Sequence, residues 1–304
     1  MGTSAAVARR GRKHSGLFVR VELLNVRPSR YGCCMAATGL EVRLHEGRER
    51  AEATRVARTL NEVVWSLQDI DKVYLLHGTR ATWVMADMHR NNDDLILRLE
   101  PRNVPAKRDT LDMMVPVEAL VKGATSLAEQ PVVPELFAPK TVTRVAALAE
   151  PRNGIQSVTL TTYNGRSGQS AFLSDQVRMN AASAVRPFEV TYGSVSGTLS
   201  GLREVRKGAV RVTVRDTVGR QAIEGIVPAS MAEDLRSAWR HRVALSGKVK
   251  RNARGQAIRI EVDHIELLPE GNSGRPSTDA LLGVGADWLD GMTVDDFLRE
   301  VRNG

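Results

Sequence analysis

The first half of the chain alternates between helical and strand-like spacing of its apolar positions. Over 48–70 these positions recur every three or four residues, which predicts an amphipathic helix of about six turns. The pattern then predicts, in order, strands over 81–88 and 95–99, helices over 117–127 and 141–149, strands over 155–163 and 169–173, and a helix from Ser174 to residue 184. The order α-β-β-α-α-β-β-α predicts an α+β domain with an antiparallel sheet over residues 35–187.

At residue 188 the period changes to the alternation that is typical of strands. A long strand over 188–202 carries glycines at 193, 197 and 201, and this spacing allows the bend that a small closed barrel needs. Four shorter runs predict further strands over 210–214, 221–227, 243–250 and 258–265. Ser230 and Glu233 have the spacing of a capping box, which predicts a short helix between the third and fourth of these five strands.

This order, three strands, a helix and two strands, resembles the OB-fold. The resemblance covers residues 188–268 and rests on topology and glycine placement. It implies a five-stranded barrel that binds oligonucleotides through the loops joining strands one to two and four to five. An SH3-like barrel is the alternative, although such barrels usually lack the helix between strands three and four.

The two loops that the resemblance singles out are basic. Residues 188–268 have a net charge of +5, and cations on these loops would attract phosphates. The candidate residues for binding single-stranded nucleic acid are Arg203, Arg206, Lys207, Lys248, Lys250, Arg251 and Arg254. Single-strand binders also offer aromatic rings for stacking, and this segment has only Phe188, Tyr192 and Trp239. A structural or protein-binding barrel therefore stays open as the alternative.

Residues 269–304 combine a flexible linker with an acidic amphipathic segment of net charge −4. Thr293 and Asp296 have the spacing of a helix cap. The apolar residues expected to bind a protein partner, in a helix-in-groove arrangement, are Leu281, Leu282, Trp288, Leu289, Phe297, Leu298 and Val301. Docking of this helix on the chain's own barrel is the alternative.

The segment 280–302 also carries a resemblance of its own, in its ending Gly-Met-Thr-x-x-x-Phe-Leu-Arg. It is similar to the C-terminal tails of some uncharacterised bacterial proteins and antitoxin-like proteins. That similarity implies a small toxin, often a nuclease, as the partner. No DNA-binding head of the kind that antitoxins carry is evident upstream.

Most of the chain's net charge of +8 comes from residues 1–34, which carry +6. This segment is interpreted as a disordered basic arm, or as a leader upstream of a true start at Met35. A secretory signal is excluded because Arg20 and Glu22 interrupt its apolar stretch. The adjacent Cys33 and Cys34 provide no disulfide framework, and no apolar run approaches the length of a membrane span. A cytoplasmic protein that does not bind membranes is expected.

The sequence contains no local signature of catalysis. His45, His77 and His89 lack metal-ligand spacing, and we find no phosphate-binding loop, dinucleotide fingerprint or zinc motif. The string 165–168 (Gly-Arg-Ser-Gly) lacks the spacing of a nucleophile elbow. We therefore expect a non-enzymatic binding protein with no cofactor, no metal and no catalytic residue. An enzyme whose site is assembled from distant residues is the remaining alternative.

Overall fold

The structure is a computed structural model that describes residues 38–269, except 48–49, 76–77, 103–107, 165–166 and 206–207, together with residues 293, 296, 299 and 302. The basic leader over 1–34 lies outside the described residues. The predicted partner-binding residues of the acidic tail also lie outside them.

The first part of the chain is an α+β layer, as predicted. Its elements are β1 (Thr38–Glu46), α1 (Ala53–Tyr74), β2 (Thr82–Asn91), β3 (Asp94–Arg102), α2 (Thr110–Glu129), α3 (Pro139–Leu148), β4 (Ile155–Asn164), β5 (Ser167–Leu173) and α4 (Asp175–Ala184). The five strands form an antiparallel sheet in the order β2-β3-β1-β4-β5. Every predicted element of this part is present, with ends that differ by up to seven residues.

The central strand of this sheet, β1, was missing from the sequence-based order. Leu40, Val42 and Leu44 are fully buried on the side of the sheet that the helices cover, and they alternate with polar residues. The predicted helix over 48–70 begins instead at Ala53, and β1 precedes it. The period-two signal of β1 is only three apolar residues long.

The second part of the chain is a closed five-stranded barrel. Its elements are β6 (Glu189–Val205), β7 (Ala209–Asp216), β8 (Ala222–Val227), a 3-10 turn (Ala229–Met231), α5 (Ala232–Ser237), β9 (Arg242–Arg251) and β10 (Ala257–Leu267). The strand order is β10-β8-β7-β6-β9, and β10 and β8 run parallel while the other neighbours are antiparallel. The interior holds its own core, which includes the fully buried Val212, Leu245 and Ile260.

Strand β6 closes the barrel because it pairs with a different neighbour along each half. Its first half pairs with β9 and its second half with β7, and Gly197 is the point where both pairings meet, opposite Val243 and Asp216. A Cβ atom at Gly197 would overlap the carbonyl oxygen of Arg215. Gly193 has no such constraint, because a Cβ there would lie 4.0 Å from its nearest neighbour, Cγ2 of Val249.

Of the two predicted capping boxes, the one in the barrel is wrong. Ser230 lies inside the 3-10 turn, and α5 begins at Ala232 with Met231 as its N-cap and no side-chain cap. The cap in the tail is confirmed for its described residues. The Thr293 hydroxyl accepts a hydrogen bond from the Asp296 amide at 3.2 Å and donates one to the Asp296 carboxylate at 2.6 Å.

The barrel packs directly on the α+β layer through the segment between α2 and α3. The Ala222 amide donates to the Phe137 carbonyl at 2.9 Å, and the Leu136 amide donates to the Arg220 carbonyl at 3.1 Å. The Gln256 side chain bonds both backbone groups of Val133. Because backbone groups are paired across this junction, the α+β layer and the barrel are held in one arrangement.

Within the described part of the chain, no helix combines the length and the apolar character needed to cross a membrane.

We predict that Gly197→Ala destabilises the protein by about 2–4 kcal/mol, because β6 must move away from the Arg215 carbonyl to admit a methyl group. Urea denaturation measures the change. Gly193→Ala is the matched control on the same strand, and it should change the free energy of unfolding by no more than about 1 kcal/mol, in the stabilising direction. Equal effects of the two substitutions would contradict the assigned role of Gly197.

Candidate functional site

A basic pocket lies where the C-terminal end of α1 meets the outer wall of the barrel. Its cavity has a volume of about 210 Å³. The lining residues are Lys72, Leu75, Gly78, Arg80, Ser200, Gly201, Leu202, Trp239 and Arg240. Three of them are cations and none is an acid, so the pocket is suited to an anion.

Lys72 is the pocket cation whose pKa is clearly changed by its surroundings. Burial lowers the pKa of its ammonium group, nearby Arg80 and Arg203 lower that pKa further, and Asp69 opposes the shift. Asp69 is itself bonded to Arg144 at 3.2 Å. The ammonium group of Lys72 has no hydrogen-bonding or ion-pair partner among the described residues. The folded chain therefore holds a half-buried positive charge without a direct counter-charge, which costs free energy.

Gly201 on β6 makes room for this lysine. A Cβ atom at Gly201 would lie 3.0 Å from Lys72 Nζ and 2.9 Å from Thr213 Oγ1, which is tighter than ordinary packing. The glycine therefore leaves room for the lysine of α1 to approach the barrel wall closely. This is a second role for one of the three glycines that the sequence pattern assigned to strand bending.

Two arginines face each other on the outer wall of the barrel beside this pocket. Arg203 on β6 lies directly opposite Arg211 on β7 in the antiparallel register. Like charges in directly opposed positions destabilise a sheet. Neither guanidinium has an ion pair among the described residues, and Nε of Arg211 is buried without a hydrogen-bond partner. We call Arg203 and Arg211 the arginine pair.

Of the seven cations predicted from the sequence, only Arg203 lies at this site. Arg206 and Lys207 lie outside the described residues. The remaining four, Lys248, Lys250, Arg251 and Arg254, lie on the β9–β10 hairpin at the opposite end of β6, where Lys250 pairs with Val190 and Arg251 with Glu189. The two loops therefore do not form one compact basic surface around the pocket.

Part of the β9–β10 hairpin is already engaged within the protein. Lys250 forms an ion pair with Glu261 at 2.7 Å, and Arg251 donates to the Gly255 carbonyl at 2.9 Å. At the tip of the hairpin, the Asn252 side chain donates to the carbonyl of Ala184, at the end of α4. This end of the barrel is thus fastened to the α+β layer.

Sequence reasoning missed Lys72, Arg80, Arg211 and Arg240 as site residues. Lys72 and Arg80 are more than 120 residues from the barrel cations along the chain, so no local motif links them. A signal for the arginine pair was present, because a hairpin that places Val205 opposite Ala209 also places residues 203 and 211 in register. Gly208 does adopt the left-handed conformation, with a φ of 73°.

The described residues contain no cluster of three or more His, Cys, Asp or Glu side chains that could hold a metal ion. His45 bonds Asp94 at 3.0 Å and Thr159 at 2.8 Å, so it ties three strands of the sheet together. His77 lies outside the described residues, as do Gly165 and Arg166 of the string once compared with a nucleophile elbow.

A larger cavity, of about 820 Å³, lies between α2, the β4–β5 hairpin and the β7–β8 turn. Its lining mixes charges of both signs, and its barrel-side cation Arg220 is neutralised by Glu135 at 2.7 Å. The polar groups around it do not converge on one point with a shared charge. The basic pocket and the arginine pair therefore form the more specific candidate site.

Comparison with known proteins identifies no family for this chain. No protein-family model matches the sequence, and no curated protein matches it. One solved structure that it is similar to is described as an OBody, NL8, bound to hen egg-white lysozyme. The two sequences are 17% identical over 27% of this chain and 98% of that one, with a TM-score of 0.22. A likeness at that TM-score carries no inference about fold or function.

Proposed function

We propose that the barrel is an OB-type module and that it binds the phosphate backbone of a nucleic acid through the arginine pair and the basic pocket. The observation that carries this proposal is the placement of Arg203 directly opposite Arg211, with no ion pair to either guanidinium among the described residues. The protein would act by binding, without a chemical step of its own.

The OB assignment is supported by the topology of the barrel. Following hydrogen-bonded neighbours from β6 gives β7, β8, β10, β9 and then β6 again, and a short helix separates β8 from β9. In chain order this is a strand arrangement of one, two, three, five, four. Barrels of the OB type bind oligonucleotides and oligosaccharides on the wall and loops around their second and third strands.

The chemistry of the side chains supports phosphate as the ligand group. A guanidinium offers several N–H donors in one plane, which suits the oxygens of a phosphate. A phosphate between Arg203 and Arg211 would remove their mutual repulsion, and its neighbour along the backbone would reach Lys72 and Arg80. The free energy that the unliganded chain loses to charge repulsion would then be recovered on binding.

We predict that the double substitution Arg203→Glu and Arg211→Glu lowers affinity for a fluorescein-labelled single-stranded 12-mer at least tenfold at low salt. Two lost phosphate contacts should also reduce the slope of log K against log salt by about 1.4. Fluorescence anisotropy at 50–200 mM salt measures both quantities.

The matched control for this experiment is Arg236→Glu. Arg236 is an exposed arginine on α5 that pairs with Glu233 and lies outside the site. It should leave the affinity within about twofold of the unsubstituted chain. If the control and the double variant lose affinity equally, only net charge matters and the assigned site is wrong.

Lys72 gives a second prediction, because residues that serve binding often lower the stability of the unliganded protein. Its pKa is below the ordinary value for lysine, so the charged form is disfavoured in the folded state. Lys72→Met should therefore raise the free energy of unfolding by about 0.5–1 kcal/mol near neutral pH, while weakening nucleic-acid binding. Urea denaturation and the anisotropy titration measure the two effects.

The stabilisation by Lys72→Met should fade with rising pH. The native chain regains stability as the pH rises from the lowered pKa of Lys72 to the ordinary pKa of an unfolded lysine, because the penalised charge disappears. Lys250→Met is the control, since Lys250 has Glu261 as its partner and gains nothing from losing its charge. A Lys72→Met variant that is less stable than the native chain would refute the analysis.

Binding of a protein partner by the acidic tail, with a small toxin as the partner implied by the sequence resemblance, is a second candidate function. The Thr293 cap and the i, i+3 pair between Asp296 and Arg299 favour a helix there. If the tail serves a partner, deleting residues 270–304 should shift the melting temperature by less than about 2 °C, because the helix adds little to the core. A fall of more than about 5 °C in differential scanning calorimetry would favour docking on the barrel instead.

A further inference from the structure

An aromatic stripe runs along the outer wall of the barrel, on the first half of β6. It consists of Phe188, Val190 and Tyr192, whose side chains are 79%, 56% and 70% exposed. The odd-numbered apolar residues of β6, which begin with Val195, face the barrel core instead. The stripe is therefore on the outside of a barrel whose interior is already filled, and it contributes nothing to that core.

Each aromatic residue of the stripe makes one contact with the barrel. The Tyr192 hydroxyl donates to Asp263 at 2.7 Å, which fixes the edge of the ring. The Phe188 amide donates to the Arg251 carbonyl at 2.8 Å, which fixes the residue on the barrel even though it precedes β6. A ring restrained before the ligand arrives, as that of Tyr192 is, loses little conformational entropy on binding.

A cavity of about 430 Å³ opens beside Phe188. It is lined by Ser183, Arg186, Pro187, Phe188 and Ala253. The cavity has room for a planar group to lie against the Phe188 ring, with Arg186 nearby to pair with a phosphate or to stack on the other side. Aromatic and guanidinium planes together form the kind of platform on which nucleic-acid bases stack.

Cations flank the outer face of β6 from the aromatic stripe to the arginine pair. In the register of the barrel, Lys250 lies opposite Val190 and Lys248 lies opposite Tyr192. Further along β6, Thr198 lies between Arg242 of β9 and Arg215 of β7. The arginine pair then ends the row.

Acids also lie near this row, with Glu204 next to Arg203 at the arginine end and others at the aromatic end. Glu261 neutralises Lys250, and Asp263 accepts the hydrogen bond from Tyr192. Lys248, in contrast, has no ion pair among the described residues. The aromatic end of β6 therefore keeps one cation without an ion pair, Lys248, opposite Tyr192. The arginine pair at the other end is suited to phosphates.

We infer that the ligand of the proposed site is a single strand of nucleic acid that lies along β6, with bases stacked on Phe188 and Tyr192 and its backbone directed toward the arginine pair. This inference rests on the proposed function and specifies its ligand. A duplex buries its base faces inside the helix, so it cannot use the aromatic stripe. From residue 188 to residue 203 the strand has a contour of about 50 Å, long enough for several nucleotides.

The test compares three probes on the full-length chain by fluorescence anisotropy at equal salt. They are a labelled 12-mer of oligodeoxythymidine, an abasic 12-mer with the same number of phosphates, and a 12-base-pair duplex. The base-bearing single strand should bind at least tenfold more tightly than the abasic strand, since each stacked base contributes several-fold or more. It should also bind more tightly than the duplex.

The double substitution Phe188→Ala and Tyr192→Ala should lower the affinity for oligodeoxythymidine to that of the abasic strand, and leave the abasic affinity unchanged within twofold. Phe172→Ala is the matched control, since Phe172 is 56% exposed on β5, away from the barrel. It should leave all three affinities unchanged. Melting curves establish that the variants are folded.

The outcomes separate this inference from the proposed function. Equal binding of the base-bearing and abasic strands by the native chain overturns the stacking inference but leaves phosphate binding standing. Tighter binding of the duplex also overturns it. If none of the three probes binds, the proposed function itself fails. The first comparison uses only the native chain, so it decides the question even if the double variant does not fold.

Discussion

The carboxylate of Asp71, fully buried near the end of α1, is the constraint on which the arrangement of the site depends. Arg108 donates to it at 3.0 Å and the Ala81 amide donates at 3.0 Å. A buried charge with one partner removed costs several kcal/mol, so these groups must stay together. They tie the last turn of α1 to the start of α2 and to the residue that precedes β2.

The same network extends toward the barrel. Arg108 also bonds Asp112, and Asp112 accepts the Tyr74 hydroxyl at 2.6 Å. The hydrogen bond from Tyr74 lowers the pKa of Asp112, burial opposes that shift, and the bond from Arg108 lowers the pKa further. The Tyr74 carbonyl in turn accepts a hydrogen bond from Arg215 of β7. Lys72 lies on the turn of α1 that is fixed in this way, so the buried network determines where its charge meets the barrel.

The sequence predicted the barrel well and the site poorly, for physical reasons. Alternating valines and isoleucines revealed β7 to β10, because a barrel wall has one face in the core and one in solvent. The same alternation in β1 was too short to stand out, although β1 is the central strand of the sheet. Ser230 failed as a cap because the chain first makes a 3-10 turn after Pro228, so the helix begins beyond the reach of its hydroxyl. The basic pocket could not be predicted because Lys72 and Arg203 meet only through the packing of α1 on the barrel.

The double pairing of β6 has a consequence for the order of events during synthesis. The first half of β6 pairs with β9, so residues 189–196 have no partner strand until β9, which ends at Arg251, has been synthesised. At typical rates of translation, synthesis from about residue 192 to Arg251 takes roughly 3–12 s. During that time the nascent chain presents an unpaired strand edge that carries Phe188 and Tyr192. The ribosome-bound intermediate is thus open to association with other chains at the segment that, once the barrel closes, carries the most exposed aromatic residues of the described part of the chain.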